Sequence, residues 1–341
     1  MQARFEGDPA AYIASRGADK EALQIQLRNK VKKCATCGKP NAFTLATCNG
    51  CSSELNVEIS YTNNVFTSFV LGIAKGPFPF TISMRKQTPE FIVLDDLLSL
   101  TQVHLNVLPA THYIPNWMTL LQDPKRGVAL IREMYEQAWT AVVEQFWPHH
   151  DKLFADVASV EALRKHVIAG FNYPPSQYQL HLQFMLPPFL PFQWLACKKG
   201  VHFTKDRFMP FEYVEAVLTC PTHFDWKEDS SVEQLFEFYR AQHGIDYNKY
   251  HAEAVSRYYA SHEQLAHWNP AHFAGVIADS SFIPFVNGKL AEDQPVAVEK
   301  VDNEANADKM MLQNYGRPYN AETGKPTGTY YKYARESLNF F

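Results

Sequence analysis

The stretch Asn172-Tyr-Pro-Pro-Ser-Gln-Tyr-Gln-Leu-His-Leu-Gln-Phe-Met185 indicates the fold most directly, because apolar and polar residues alternate through its second half. Successive side chains of a β-strand point to opposite faces of a sheet, so residues 178–185 are predicted to form a strand. Its apolar residues share one face, which belongs on a core: Leu180, Leu182 and Phe184. Its polar residues share the other face: Gln179, His181 and Gln183. An imidazole between two carboxamides is therefore the candidate functional feature of this strand.

Two interpretations of His181 are open at this point. Isolated histidines on strands are common, so His181 is consistent with a partly exposed histidine that has amide neighbours. The preceding loop favours a functional role, because Pro174, Pro175 and Ser176 combine rigidity with a small hydroxyl residue. Loops of this composition are suited to presenting backbone N–H groups to an anion.

The polar row resembles the active strand of the histidine-triad (HIT) superfamily, whose motif is His-φ-His-φ-His. The middle histidine of that motif attacks a phosphorus atom. In the branch that contains galactose-1-phosphate uridylyltransferase and diadenosine tetraphosphate phosphorylases, glutamine occupies the third position. The present row reads Gln179-Leu-His181-Leu-Gln183, so the nucleophile and the transferase-like glutamine match, whereas the first histidine is replaced.

A second stretch is similar to the same family: Asp95-Asp96-Leu-Leu-Ser-Leu-Thr-Gln-Val-His104-Leu-Asn-Val-Leu-Pro109-Ala-Thr-His112. Members of the family have an acidic residue that ends one strand, a histidine eight residues later that opens the next, and a closing Pro-x-x-His. The resemblance covers residues 60–190, and its two motifs occur in the expected order. It implies that Asp96 holds ribose hydroxyls, that His104 lies near the phosphate site and that Leu97 packs against the base.

The resemblance also implies roles around His181. Gln183 and Ser176 would contact phosphate oxygens, and Asn172 is the nearest equivalent of the family's phosphate-binding asparagine. The predicted catalytic residues are His181, Gln183, Ser176 and His104. The predicted nucleotide-binding residues are Asp96, Leu97, Asn172 and Gln179.

Two Cys-x-x-Cys knuckles near the N-terminus predict a structural zinc site formed by Cys34, Cys37, Cys48 and Cys51. Their separation lets four thiolates converge tetrahedrally on one Zn²⁺. Disulfides and redox pairs are the alternatives. A reducing compartment disfavours the former, and the matched pairs disfavour the latter.

The fold class predicted from these features is α+β: a HIT-like antiparallel sheet with packed helices, preceded by a four-cysteine zinc ribbon and followed by a mostly helical extension. The predicted divisions are a helical, polar lead-in at 1–30, a zinc ribbon at 31–57, a HIT-like domain at 58–195, a mainly helical extension at 196–300 and an extended tail at 301–341. Further strands are predicted at 66–73, 78–84 and 90–94. Helices are predicted at 127–146, 231–243 and 246–268.

Composition narrows the functional classes. The chain has 341 residues, is 46% hydrophobic and carries a formal charge of −4, which gives no general attraction to nucleic acid or to an anionic membrane. No apolar run reaches the roughly 18 residues that cross a bilayer. Because no secretory or transit peptide is recognisable, we expect a cytoplasmic protein.

A basic cluster follows the candidate active strand: Lys198, Lys199, His202, Lys205 and Arg207. It would neutralise the outer phosphates of a nucleotide, or it is simply a solvated face, which is the interpretation we favour from sequence.

Two functional hypotheses follow. The first is an enzyme that hydrolyses or transfers nucleotides through a nucleotidyl-histidine, with a nucleotide or dinucleotide as its ligand. The second is a degenerate HIT domain that binds a nucleotide or serves as a scaffold, with a protein partner on its C-terminal extension and tail. A homodimer is compatible with either hypothesis.

Overall fold

The computed structural model describes residues 5, 7–36, 40–48, 53–73, 84–96, 99–155, 157–189, 191–198, 200, 202–227 and 229–266, together with four short strands nearer the C-terminus. The strands are β1 Arg28–Lys33, β2 Pro40–Ala42, β3 Ser60–Asn63, β4 Met84–Gln87, β5 Phe91–Asp95, β6 Thr101–Pro109, β7 Ile168–Asn172, β8 Leu182–Phe189, β9 Phe208–Pro210, β10 Phe285–Val286, β11 Lys289–Leu290, β12 Val298–Val301 and β13 Tyr330–Tyr333. The α-helices are α1 Pro9–Ser15, α2 Lys20–Gln26, α3 Val65–Leu71, α4 Pro124–Ala141, α5 His150–Leu153, α6 Val160–Arg164, α7 Pro191–Lys198, α8 Phe211–Leu218, α9 Val232–His243 and α10 Tyr247–Leu265.

A six-stranded antiparallel sheet organises the described part of the chain, in the order β4-β5-β6-β8-β7-β9. One face of the sheet carries the main core, where Leu105 and Phe184 pack with Ile131 and Met134 of α4. The same core extends to Leu265 in α10. Mixed helix and antiparallel sheet is the α+β class that the sequence predicts.

The other face of the sheet is covered near β5 and β6 by α3. Phe66 and Phe69 of this helix pack against Ile92, Leu94 and Leu108. Since side chains alternate along a strand, the residues of β6 that share a face with Leu108 are the polar His104 and Asn106. The candidate site therefore lies on the face of the sheet that α3 partly covers.

A smaller three-stranded sheet, ordered β2-β1-β3, precedes α3. Its central strand pairs with both neighbours, Val31 lying opposite Ala42 on one side and Ser60 on the other. The backbone N–H of Asn64 donates to Leu27 O at 2.9 Å, and this contact joins the end of α2 to the start of α3.

Most of the testable secondary-structure predictions are confirmed. The strand at 90–94 corresponds to β5, and the helix at 127–146 corresponds to α4 continued by a π-helix, Val142–Phe146. The helices at 231–243 and 246–268 correspond to α9 and α10, although residues 267 and 268 lie outside the described residues. Of the predicted strand at 78–84, residues 78–83 also lie outside them.

Three predictions are corrected. Residues 65–71 form helix α3 rather than a strand, because Asn64 caps the first turn by accepting from Thr67 N at 3.1 Å. The strand predicted at 178–185 begins at Leu182, since the residues before it bond elsewhere: Tyr178 N donates to Asn29 of β1, and Leu180 N donates to Ile114 O. The lead-in at 1–30 is helical only as far as Gln26, after which β1 begins at Arg28.

No helix within the described ranges is long and apolar enough to cross a membrane.

Candidate functional site

The candidate site lies where β6 and β8 pair at the centre of the six-stranded sheet. Their register places His104 opposite Met185 and Asn106 opposite Gln183. His181 immediately precedes β8, so it continues the same polar row. The predicted separation of faces is confirmed, because Leu180, Leu182 and Phe184 all lie in the main core.

The imidazole of His181 has a defined tautomer. Its Nδ1 lies 2.7 Å from the carbonyl oxygen of Gln179, and a carbonyl only accepts hydrogen bonds, so Nδ1 carries the proton. The lone pair is therefore on Nε2. The pKa of His181 is lowered, mainly by burial. The hydrogen bond to Gln179 and the charge of Asp96 raise this pKa, whereas Arg207 and His104 lower it. The side chain is neutral at pH 7, which is the form that acts as a nucleophile.

Phe66 of α3 packs its ring against the His181 ring in an edge-on arrangement, with centroids 5.0 Å apart. The His181 side chain is consequently only 8% exposed. Helix α3 thus forms one wall of the site.

Asp96, Asn106 and His104 form a polar group beside His181. Asn106 Nδ2 donates to Asp96 Oδ2 at 2.8 Å. The Nδ1 atom of His104 accepts from Leu100 N at 3.1 Å, so its proton is on Nε2, which lies 3.6 Å from Asp96 Oδ2. Burial lowers the pKa of His104, while Asp96 and Asp95 raise it.

Two buried atoms of this group, His104 Nε2 and Asn106 Oδ1, have no hydrogen-bond partner among the described residues. Buried polar atoms without partners are uncommon in folded proteins. One donor, with the Asp96 carboxylate 3.6 Å away, and one acceptor are thus left without a hydrogen bond in the middle of the polar row.

Gln179 braces the backbone. Its Nε2 donates to Pro109 O and to His112 O, both at 3.1 Å, and the side chain is fully buried. The side chain of His112 itself is exposed, and its Nδ1 lies 2.6 Å from Thr111 Oγ1. Gln179 thus joins the loop after β6 to the residues that lead into β8.

The loop that carries Ser176 is anchored to the N-terminal sheet. Asn29 of β1 accepts from Tyr178 N at 2.9 Å and donates to Gln177 Oε1 at 3.2 Å. Gln177 Oε1 also accepts from Val65 N, the first residue of α3, at 3.1 Å. Ser176 is partly exposed on this anchored loop.

Asn172 and Arg207 lie at the edge of the site where β7 ends. Asn172 pairs with Phe208 of β9, and Tyr173 N donates to Arg207 O at 2.8 Å. Gly170, opposite Gln183, allows this packing, since a Cβ there would lie 2.5 Å from the Phe208 ring.

The first cysteine of each knuckle lies in one buried cluster. Cys34 and Cys48 are each 1% exposed and pack together with Ala42, Leu45 and Leu55. Asn41 Nδ2 lies 3.5 Å from Cys48 Sγ, placed to donate to sulfur. The backbone N–H of Cys48 donates to Ser53 O at 2.8 Å.

Cys37 and Cys51 lie outside the described residues, as does Leu97. Within the described ranges, no group of three or more His, Cys, Asp or Glu side chains is placed to hold a metal ion. Cys34 and Cys48, which come from separate Cys-x-x-Cys pairs, share one small core.

Of the predicted residues, the structure brings four together: Asp96, His104, His181 and Gln183. Sequence reasoning missed Asn106, although strand alternation places it two residues from His104 on the same face. It also missed Phe66, which was assigned to a strand, and it favoured a solvated face for Arg207. No sequence signal could have placed Arg207 at the end of β7.

Comparison with known proteins adds no identification: no protein family, curated protein or solved structure matches this chain.

Proposed function

We propose that this chain is a HIT-like nucleotide hydrolase or nucleotidyltransferase that acts through a nucleotidyl-histidine at His181. The observation that carries the proposal is the hydrogen bond from His181 Nδ1 to the Gln179 carbonyl. It fixes the ring and leaves the Nε2 lone pair for attack. Burial keeps the imidazole neutral by lowering its pKa.

In the proposed reaction, His181 Nε2 forms a bond to the α-phosphorus of a nucleotide anhydride or conjugate. The bond from phosphorus to the leaving-group oxygen breaks, and that oxygen takes the electron pair. An oxygen of water, phosphate or another acceptor then forms a bond to the phosphorus. The bond from phosphorus to His181 Nε2 breaks and returns its electron pair to Nε2, and the proton of a water acceptor passes to solvent. Covalent catalysis of this type divides one difficult displacement into two easier ones.

The surrounding polar groups would position the substrate. Gln183 and Ser176 would donate to the non-bridging oxygens, where charge develops during displacement. Asp96 would accept from ribose hydroxyls while it keeps its bond from Asn106, and His104 Nε2–H would donate beside the phosphate. Asn172 would add a contact at the end of β7. Gln179 is assigned a bracing role, because its amide nitrogen already bonds two carbonyls.

We also propose that Cys34, Cys37, Cys48 and Cys51 hold one structural Zn²⁺. The shared burial of Cys34 and Cys48 supports this set. Four thiolates leave no coordination position open, so the ion would stabilise the N-terminal module without activating water.

The test is to trap the intermediate. The full-length protein is incubated with labelled dinucleoside polyphosphates, nucleotide sugars and adenylylated nucleic acids, and acid-labile label on the protein is located by mass spectrometry. We expect label on His181, none in His181→Ala, and normal labelling in the control His243→Ala, which alters a histidine at the end of α9. Turnover that persists fully in His181→Ala would contradict the mechanism.

One observation favours the alternative, a nucleotide-binding or scaffold protein without turnover. Phe66 packs directly on His181 and leaves little of the ring exposed. Under this alternative, nucleotide binds without forming an adduct, and enlarging the site by Phe66→Ala does not produce one.

A further inference from the structure

The basic cluster that follows the active strand divides into two kinds of residue. Lys198 and Lys205 are exposed, as expected for a solvated face. His202 is partly buried, and its Nε2 lies 2.8 Å from Gln193 Oε1. Arg207 differs from these, because its Nε is buried without a hydrogen-bond partner among the described residues.

The position of Arg207 is fixed by the main sheet. Its carbonyl accepts from Tyr173 N at 2.8 Å, and the next residue, Phe208, pairs with Asn172. Arg207 therefore lies at the end of β7, where the loop that contains Ser176 and leads to His181 begins. The charge of Arg207 is one of the causes that lower the pKa of His181, after burial.

Arg207 remains a cation in this position. Burial lowers its pKa to about 10, which leaves the guanidinium charged at neutral pH. Among the described residues, no carboxylate forms an ion pair with it. Asp206 offsets part of the effect of burial, but it forms no ion pair with the guanidinium. A partly buried cation without an ion-pair partner is costly, and an anion that binds it recovers part of that cost.

We infer that Arg207 forms an anion subsite beside His181 that binds phosphate oxygens of the substrate through its planar guanidinium. The inference rests on the proposed function for the identity of the substrate, and it narrows that substrate to one with an anionic phosphate next to the attacked phosphorus. A guanidinium suits this role because its N–H groups match two phosphate oxygens at once. The neighbouring Lys198 and Lys205 contribute only general positive charge.

Binding of inorganic pyrophosphate to the full-length protein, measured by calorimetry, tests the subsite without requiring turnover. We expect Arg207→Ala to weaken pyrophosphate binding by about tenfold or more, because charge-assisted hydrogen bonds are lost. Arg207→Lys should retain part of the affinity. The matched control Lys205→Ala removes an exposed cation two residues away and should change affinity less than about twofold, because exposed charges contribute weakly.

Circular dichroism establishes that each variant is folded. If Arg207→Ala is not, Arg207→Gln replaces it as the variant without charge. Equal affinities of the wild type and the neutral variant, or no pyrophosphate binding by the wild type, would overturn the inference. A loss of affinity on neutralising Arg207 supports the subsite even when no adduct forms at His181, in which case only the proposed reaction fails. Adduct formation that is unchanged in Arg207→Ala counts against the subsite alone.

Discussion

Replacing Asn29 by alanine should destabilise the protein and loosen the loop before His181, because this buried side chain joins the N-terminal sheet to that loop. Its Nδ2 donates to Asn63 O at 3.0 Å and to Gln177 Oε1 at 3.2 Å, and lies 3.4 Å from Thr62 Oγ1. Its Oδ1 accepts from Tyr178 N at 2.9 Å. Asn29 is fully buried.

The magnitude follows from the groups that lose a partner. In Asn29→Ala, Gln177 Oε1 keeps its bond from Val65 N, whereas Tyr178 N loses its acceptor. An amide left without a partner costs about 1–3 kcal/mol, and the loss of the remaining bonds adds about 1 kcal/mol. We therefore expect the free energy of unfolding to fall by about 2–4 kcal/mol.

Urea denaturation of the full-length protein measures this change. Asn29→Asp should destabilise at least as much, because it retains the acceptor for Tyr178 N but places a carboxylate oxygen against Gln177 Oε1. The control Asn248→Ala removes an exposed asparagine of α10 and should change stability by less than about 0.5 kcal/mol. A change in Asn29→Ala as small as that of the control would refute the reasoning.

Two further predictions concern metal content and pH. Metal analysis of freshly purified protein should find about one Zn²⁺ per chain. Cys48→Ser should lose the zinc, and the control Cys220→Ser should retain it. Wild-type protein without zinc would contradict the proposed site. Burial, with the charge of Lys198, lowers the pKa of His262 to about 3, and its Nδ1 accepts from Phe189 N, so the folded protein keeps this imidazole neutral above about pH 3. Between pH 3 and pH 6.5 the unfolded chain binds that extra proton, so this group makes the free energy of unfolding fall with falling pH by up to about 1.4 kcal/mol per unit. In His262→Gln, the free energy of unfolding should fall less steeply with falling pH, by that amount. An unchanged pH dependence would contradict the role assigned to His262.

Local patterns were sufficient for much of the main sheet and its helices. The alternation in 178–185 correctly assigned Leu180, Leu182 and Phe184 to the core. The helix predicted at 231–243 corresponds to α9, whose first turn Ser231 caps. Such features can be predicted from short stretches of sequence, because the repeat of a strand or a helix decides which neighbouring side chains share a face.

Helix α3 shows where local preference fails. Its sequence Val-Phe-Thr-Ser-Phe-Val-Leu is rich in β-branched and aromatic residues, which favour strands. The capping by Asn64 and the packing of Phe66 and Phe69 on the sheet instead stabilise a helix. Tertiary packing outweighed propensity, and this helix became a wall of the site.

The sequence by itself determined the α+β class, the alternating faces of the central strands and the eight-residue spacing along the chain between Asp96 and His104. Only the tertiary structure decided that Arg207 lies at the end of β7 and that Asn29 holds the loop before His181. The physical reason is distance along the chain: Asn29 bonds to residue 178, which is 149 positions away. Contacts of that range depend on how the two sheets and α3 pack together, and no short sequence pattern records that packing.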